Sequence, residues 1–298
     1  MTWILLTILA FSSQTLRNVF SKKLFANVGA YTVSFTRFFF GLPIVIIAYA
    51  YIVSSEANLE INSNYFYVWI FVFAVFQVAA TAFLISLFKY KNFAVSVSYT
   101  KSETLFVAIL GTIILSEQLS NIGIAGILIS FSGIMFSTLA KGELKLKNII
   151  NSFNQKSTYI GFLSGLMFAI ALVAIKLSFN YLDTDSKLNK SIFSLFAALI
   201  IQSGLMLIYM LFKRKKELIY ILENPRLPLL IGLFSSLGSF FWFVAFSMAS
   251  IAYVRTFGQL EFVLSVLISV HLFKENVTKN EILGMLLLVL GTILILFA

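Results

Sequence analysis

The sequence predicts an all-α membrane protein with ten transmembrane helices arranged as two inverted five-helix repeats. The first observation is composition: 60% of the 298 residues are hydrophobic and 11% are charged, whereas soluble domains carry about 25% charged residues. The second is that apolar runs close to the roughly 20 residues that a helix needs to cross a bilayer recur along the chain. The third is that the second half of the chain repeats the first.

The apolar runs divide the chain into two sets of five. Helix is the expected form of each run, because within lipid every backbone amide must find its partner in the same segment. A basic stretch separates the sets, so we expect a first repeat (1–140), a linker (141–157) and a second repeat (158–298). The predicted spans are 2–20, 31–53, 65–88, 94–115, 121–140, 158–180, 190–212, 228–248, 252–273 and 279–297.

A shift of 158 residues places the end of the first half on the end of the second half without a gap. The matched pairs are Glu103 with Glu261, Glu117 with Glu275, Gly126 with Gly284 and Gly133 with Gly291. Because Glu is rare in this chain, apolar bias does not account for these matches. Five helices is an odd number, so the second copy enters the membrane from the opposite side, an architecture that secondary transporters use around a midplane site.

The matched residues also predict local roles. Glu117 and Glu275 lie beside turns at helix ends, where a helix-end or surface ion-pair role is expected. Gly126 and Gly133 lie two turns apart on one stripe, as do their counterparts, which favours close helix packing.

The basic residues are distributed unevenly between the two sides of the predicted bundle. Of the 22 Lys and Arg, fifteen fall in loops on one side, and Lys187 and Lys190 fall in loops on the other. Basic loops stay cytoplasmic, so both termini are predicted to lie outside the cytoplasm. The protein itself is predicted to reside in the cell (inner) membrane. The net charge of +10 is spread over short loops, which favours contact with lipid headgroups and argues against nucleic-acid binding.

Five cations and two carboxylates interrupt the apolar runs. A charge at mid-membrane costs roughly 2.5–3.5 kcal/mol on insertion scales, so each needs a partner or a water-filled cavity. An excess of cations favours an anionic or zwitterionic ligand. The charges are Arg17, Arg37, Lys101, Lys176, Arg255, Glu103 and Glu261.

Lys101 and Arg255 occupy related helix faces in the two halves. The 158-residue shift places Lys101 on Gln259 and Arg255 on Val97, and in each half the two positions lie about one helical turn apart. We predict that Lys101 and Arg255 line a path between the halves, where they meet an anionic group of a substrate or a buried carboxylate.

These patterns select the candidate binding residues. Arg37 lies deep in its span, and an aromatic ring such as that of Tyr99 can stack on a substrate. The predicted substrate-binding residues are Lys101, Arg255, Glu103, Glu261, Gln259, Arg37 and Tyr99.

A structural role is open for several of these groups. Glu103 lies about 200° around its helix from Lys101. Glu103 and Glu261 can therefore instead form structural ion pairs with Arg37, Arg17 or Lys176. Arg17 lies near a helix end and can snorkel to the interface. If the carboxylates are functional, protonation of one of them is a candidate coupling step.

The composition argues against catalysis. The chain has no Cys and one His, so we expect no thiolate or histidine metal site, no cofactor and no intramembrane enzyme. It also lacks the GxxxxGK[ST] loop that binds ATP phosphates, so energy is expected from an ion gradient or from exchange.

The ends of the two halves resemble a known family. The stretches are ILSEQLS followed by AGILISFSGI, and LFKENVT followed by LGMLLLVLGT. With ten spans in two repeats, they resemble EamA-type members of the drug/metabolite transporter superfamily over nearly the whole chain. In that family a Glu-Pro step is common in the fourth helix of a repeat. Here Thr104 and Phe262 replace that Pro, so the resemblance gives no basis for a kink.

The resemblance implies a helical bundle that alternates access and moves amino acids, nucleotide-like compounds or drugs. We expect a secondary active transporter of small polar metabolites, amino-acid-like or anionic, that works as an exporter or exchanger. A flippase of a lipid-linked carrier is the alternative, and it would need a lateral opening to lipid. Family members usually keep both termini in the cytoplasm, the reverse of what the loop charges predict here.

Overall fold

The computed structural model describes residues 2–53, 60–89, 100–138, 156–272, 274 and 278–298, and this part of the chain is helical almost throughout. The first-half elements are α1 (Thr2–Phe25), α2 (Ala30–Phe39), α3 (Leu42–Val53), β1 (Glu60–Ile61), α4 (Tyr65–Leu87), α5 (Glu103–Leu115) and α6 (Asn121–Thr138). The second-half elements are α7 (Lys156–Phe179), β2 (Leu182–Asp183), α8 (Lys187–Lys213), α9 (Lys215–Glu223), α10 (Arg226–Met248), α11 (Ile251–Phe257), α12 (Glu261–His271) and α13 (Lys279–Leu296).

Six of the described helices are long and apolar enough to cross a membrane. They are Ala30–Tyr51, Tyr65–Leu87, Lys156–Phe179, Lys187–Lys213, Arg226–Met248 and Ile251–Ile268. Three shorter apolar helices are Glu103–Leu115, Asn121–Gly133 and Ile282–Leu296. The predicted helical membrane class is therefore confirmed, whereas the count of ten spans stays a prediction.

The closest packing between the two halves joins equivalent helices, α6 and α13. A Cβ on Gly126 would lie 2.8 Å from the carbonyl oxygen of Gly291, and a Cβ on Gly133 would lie 2.5 Å from that of Gly284. Small residues permit this approach, as the glycine stripe predicted. The two helices run antiparallel, and the 158-residue shift converts one pair into the other. A local two-fold axis perpendicular to the helices therefore relates them, as an inverted repeat requires.

The 158-residue shift also relates six other helices, which form two groups of three. In the α1 group, α1 packs along α10 and contacts α12. In the α7 group, α7 packs along α4 and contacts α5. Each helix of one group is the repeat counterpart of a helix in the other, so each group combines helices from both halves.

A short 3₁₀ turn precedes each of the equivalent carboxylates. The turn Thr100–Ser102 leads into α5, which begins at Glu103, and the turn Gly258–Leu260 connects α11 to α12, which begins at Glu261. The 3₁₀ turns lie at equivalent positions and contain no proline, and in the second repeat the turn separates two described helices, although the resemblance gave no basis for a kink. Each Glu lies at a helix N-terminus, where a negative charge is favourable, and such interruptions inside apolar spans are typical of functional hinges and binding sites.

Loops that were predicted on the same side of the membrane contact each other. On the side with few cations, β1 pairs with β2 in an antiparallel ladder. On the basic side, Glu217 of α9 accepts hydrogen bonds from the Gly29 amide, at 2.8 Å, and from the Thr32 hydroxyl. The two halves are therefore connected at both faces of the bundle.

Candidate functional site

A polar cavity, called the central cavity here, lies between the two halves close to the 3₁₀ turns. Its volume is about 40 Å³, enough for a few water molecules and well below the roughly 300–1,000 Å³ of a typical ligand pocket. The described residues therefore leave little space at this site. The lining residues are Gln14, Arg17, Asn18, Arg37, Gln77, Leu84, Thr100, Glu103, Phe168, Leu172, Ser239, Trp242, Phe243, Phe246 and Arg255.

Arg255 of α11 and Glu103 of α5 form a buried ion pair in the wall of the central cavity, between Nε and Oε1. Arg255 is 8% exposed and Glu103 is 3% exposed. The guanidinium also lies over the Trp242 ring, 4.4 Å from its centroid, in a cation–π contact. Arg255 thus meets a buried carboxylate, one of the two partners predicted for it.

Glu261 is fully buried behind the wall of the cavity. Gln14 Nε2 donates to its Oε2 at 2.7 Å, and Asn18 Nδ2 donates to its Oε1 at 3.1 Å. Arg17 in turn donates to Asn18 Oδ1, from Nη2 at 2.8 Å and from Nε at 3.2 Å. Arg17 is therefore a buried member of this network, and the predicted snorkelling does not occur.

Arg37 of α2 lines the central cavity and is 6% exposed. Its Nη1 donates to the Thr81 hydroxyl at 2.6 Å, and its guanidinium lies 5.2 Å from the centroid of the Phe38 ring. A guanidinium carries five N–H donors. Among the described residues, no carboxylate lies within ion-pair distance of it.

The remaining predicted site residues are placed differently. Gln259 donates to the Thr104 hydroxyl, so it is a contact between the halves and does not line the cavity. The backbone of Lys101 lies in the first 3₁₀ turn. Its side chain, and the whole of Tyr99, fall outside the described residues.

Trp242 is a cavity residue that the sequence analysis did not select. Its Nε1 donates to Gln14 Oε1 at 3.1 Å, while its ring contacts Arg255. A Cβ on Gly258 would lie 2.3 Å from that ring, so glycine at the second 3₁₀ turn makes room for it. A Trp inside an apolar helix resembles ordinary packing, and no local sequence signal marks this one.

Glu117 has the helix-end role that was expected for it. Its carboxylate accepts hydrogen bonds from the Ser250 hydroxyl at 2.5 Å and the Ile251 amide at 3.1 Å, at the first turn of α11. A negative charge is favourable at that end of a helix. The equivalent Glu275 falls outside the described residues.

The antiparallel equivalent helices, the apolar spans and the buried polar cavity together define a multi-pass membrane protein of the inverted-repeat transporter class. The model of the EamA-like transporter family matches residues 1–139 and 156–297. The chain therefore belongs to the EamA-like transporter family, whose members are transporters and not enzymes. A small-molecule substrate and a lipid bilayer environment follow from this membership.

Wider comparisons add the fold but no substrate. No curated protein matches the chain. A solved structure described as "Crystal structure of protein" aligns with a TM-score of 0.65 over 97% of this chain and 94% of that chain, at 13% sequence identity. At this identity the likeness shows the fold alone.

Proposed function

We propose that the protein is a secondary active transporter of small polar metabolites, amino-acid-like or anionic, in the cell (inner) membrane. The central cavity carries this proposal, because it combines buried charges from both halves at interrupted helices, where inverted-repeat transporters bind their substrates. Its small volume and the contacts at both faces support a closed conformation between two open ones.

The proposed roles of the site residues follow from their positions. Arg255, Glu103 and Arg37 line the cavity and are the proposed substrate contacts. Glu261 and Gln259 support the interrupted helices from behind the wall. Substrate contact by Lys101 and Tyr99 stays a prediction.

The alternative of a lipid-carrier flippase would require the cavity to continue into a lateral opening. An apolar groove between α5 and α6 faces outward and is lined by residues that include Leu105, Ile109, Ile113 and Leu128. It shares no lining residue with the central cavity. A polar cavity separated from that groove favours a metabolite as the transported molecule.

A comparison of the metabolites in a deletion strain and in an overexpressing strain would identify candidate substrates. Exchange of each candidate would then be measured in proteoliposomes that contain the purified protein. We expect a polar metabolite to exchange with wild-type protein and not with Arg255→Met. Lys187→Gln, a variant at an exposed residue at the start of α8, serves as the matched control. If every metabolite that differs between the strains fails to exchange through wild-type protein, the proposed function is wrong.

Proton coupling is proposed as the energy source, with Glu103 as the candidate carrier because its carboxylate lines the cavity. Transport by Glu103→Gln should then lose the dependence on pH that wild-type protein has. An unchanged pH profile would exclude Glu103 and leave exchange as the mechanism.

The termini are proposed to lie outside the cytoplasm, on the basis of the basic loops. A reporter that works only outside the cytoplasm should be active when fused after Ala298. A silent fusion, together with an active cytoplasmic reporter at the same position, would reverse the orientation.

A further inference from the structure

Two of the guanidinium groups that line the central cavity are linked to a carboxylate of the chain. Arg255 pairs directly with Glu103. Arg17 donates twice to Asn18, whose amide donates to Glu261. Both glutamates are thus already engaged within the protein.

Arg37 is different, because it has no such link among the described residues. Its hydrogen bond goes to a neutral hydroxyl, that of Thr81, and its other close contact is the face of Phe38. The two other guanidinium groups that line the same cavity, those of Arg17 and Arg255, are cations as well. At 6% exposure, its charge is shielded from bulk water, and no carboxylate in the part of the chain that the structure describes offsets it.

The sequence offers no further carboxylate for this position. Glu103 and Glu261 are the only acidic residues away from the ends of the predicted spans. A buried charge without a partner is strongly destabilising. Its presence beside a cavity therefore indicates that a ligand supplies the counter-ion.

We propose that the transported metabolite carries an anionic oxygen group, a carboxylate or a phosphate, that binds Arg37 in the central cavity. This inference rests on the proposed function and narrows its substrate class. The planar guanidinium fork matches two oxygens of such a group, and Thr81 occupies only one of its donors. A neutral or cationic metabolite would leave three guanidinium groups around a single cavity-lining carboxylate.

The first test needs no ligand and measures the thermal stability of the purified full-length protein. Arg37→Met keeps the length of the side chain and removes an unpaired charge, so its melting temperature should equal or exceed that of wild type. Arg255→Met is the matched control, and it should melt lower because it leaves Glu103 unpaired. A drop for Arg37→Met as large as that of the control would make Arg37 structural and overturn the proposal.

The second test measures the change in melting temperature with acetate, L-aspartate, inorganic phosphate, chloride and choline. Acetate or L-aspartate should stabilise wild-type protein if the group is a carboxylate, and phosphate if it is a phosphate. Choline should not stabilise it. Arg37→Met should lower the affinity for the stabilising anion about tenfold to a hundredfold, because it removes a charge-assisted hydrogen bond. Stabilisation by chloride alone, by choline alone or by no probe would overturn the proposal.

A third variant places a counter-ion inside the protein. Thr81→Asp puts a carboxylate where Arg37 now donates, so it should remove the response to anions while the protein stays folded. Thr81→Asn is the neutral control and should keep most of that response. Full anion binding by Thr81→Asp would contradict the proposed site.

The last experiment separates this inference from the proposed function. Proteoliposomes are loaded with the stabilising anion, and its exchange is measured for wild type and for Arg37→Met. Exchange by both proteins would keep the transporter and refute the role of Arg37. Anion binding that depends on Arg37 without exchange by wild type would keep the site and refute the transporter.

Discussion

Glu103 and Glu261 begin equivalent helices in the two repeats, yet the ion pair of Glu103 and the hydrogen bonds that Glu261 accepts from α1 connect different parts of the bundle. Glu261 of α12 accepts hydrogen bonds from Gln14 and Asn18 of α1, so these bonds lie within the α1 group. Glu103 of α5 pairs with Arg255, whose helix α11 continues through the 3₁₀ turn into α12. This ion pair therefore joins the α7 group to the α1 group.

This difference in bonding suggests that the duplicated glutamates, Glu103 and Glu261, have different roles in transport. In an alternating-access cycle, rigid helix groups move around the site. Bonds inside a group then persist, whereas bonds between groups change in each cycle. We expect Glu261 to hold its group together and Glu103 to act at the boundary that moves.

Breaking the boundary ion pair should have the largest effect. Glu103→Gln leaves the Arg255 charge buried without a partner, and loss of one member of a buried pair costs about 3–5 kcal/mol. Thermal unfolding of the purified protein should report this loss, and the transport that remains should be slower than that of wild type.

A double variant sharpens that result. Glu103→Met combined with Arg255→Met removes both charges, so stability should largely return while transport is lost. If the double variant is as unstable as the sum of the single variants, the two residues do not act as a pair.

Breaking the bonds inside the α1 group should cost less. Asn18→Ala removes a donor to Glu261 and an acceptor for Arg17. Because Gln14 still donates to Glu261, the net cost should be close to that of one hydrogen bond to a charged group, about 1.5–3 kcal/mol. We expect a lower melting temperature with exchange still measurable in the folded protein. Abolished exchange at unchanged stability would place Asn18 at the moving boundary and refute the comparison.

The two 3₁₀ turns offer a test at positions where the repeats differ in residue. Gly258 occupies the position that Thr100 holds in the first repeat. A Cβ at Gly258 would lie 2.3 Å from the Trp242 ring, so Gly258→Ala should displace that ring and cost about 1–3 kcal/mol by overpacking. Thr100→Ala, its matched control, should cost less in thermal unfolding.

The contacts at the two faces also differ, because one is a backbone ladder and the other centres on the Glu217 carboxylate. Partial burial acts to raise the pKa of Glu217, but hydrogen bonds from Thr32, Gly29 and Arg214 outweigh it and hold the pKa below its ordinary value of 4.5. The ionised Glu217 carboxylate therefore stabilises the folded protein fully at pH values above 4.5. This stabilisation is lost as the pH falls through the lowered pKa.

The melting temperature of wild type should accordingly fall more steeply than that of Glu217→Gln as the pH drops below about 4.5. This is the smallest expected effect, because the group is partly exposed and solvent screens it. Parallel curves for the two proteins would show that the Glu217 contact does not depend on charge.

Several features of the site could be predicted from the sequence because they are local or repeat with a fixed shift. The equivalence of Glu103 and Glu261 and the close approach of Gly126 to Gly291 follow from the 158-residue duplication. The burial of Arg37 could be predicted because a charge deep in an apolar run has to be enclosed by the protein.

Other features could not be predicted, because they depend on residues far apart in the chain. Helical periodicity placed Glu103 on a different face from Lys101, but it could not tell which distant cation would meet it. The 3₁₀ turns occur at equivalent positions without a proline that would have indicated them in the sequence.

The sequence by itself determined the membrane class, the duplication and the reversal of the second repeat, because hydrophobicity, residue spacing and an odd number of spans are properties of the chain alone. Only the tertiary structure decided that Arg255 pairs with Glu103, that Trp242 stacks on Arg255, and that Arg37 meets no carboxylate among the residues that the structure describes. These depend on how helices from different repeats pack, since the energy of a buried charge is set by its neighbours in space.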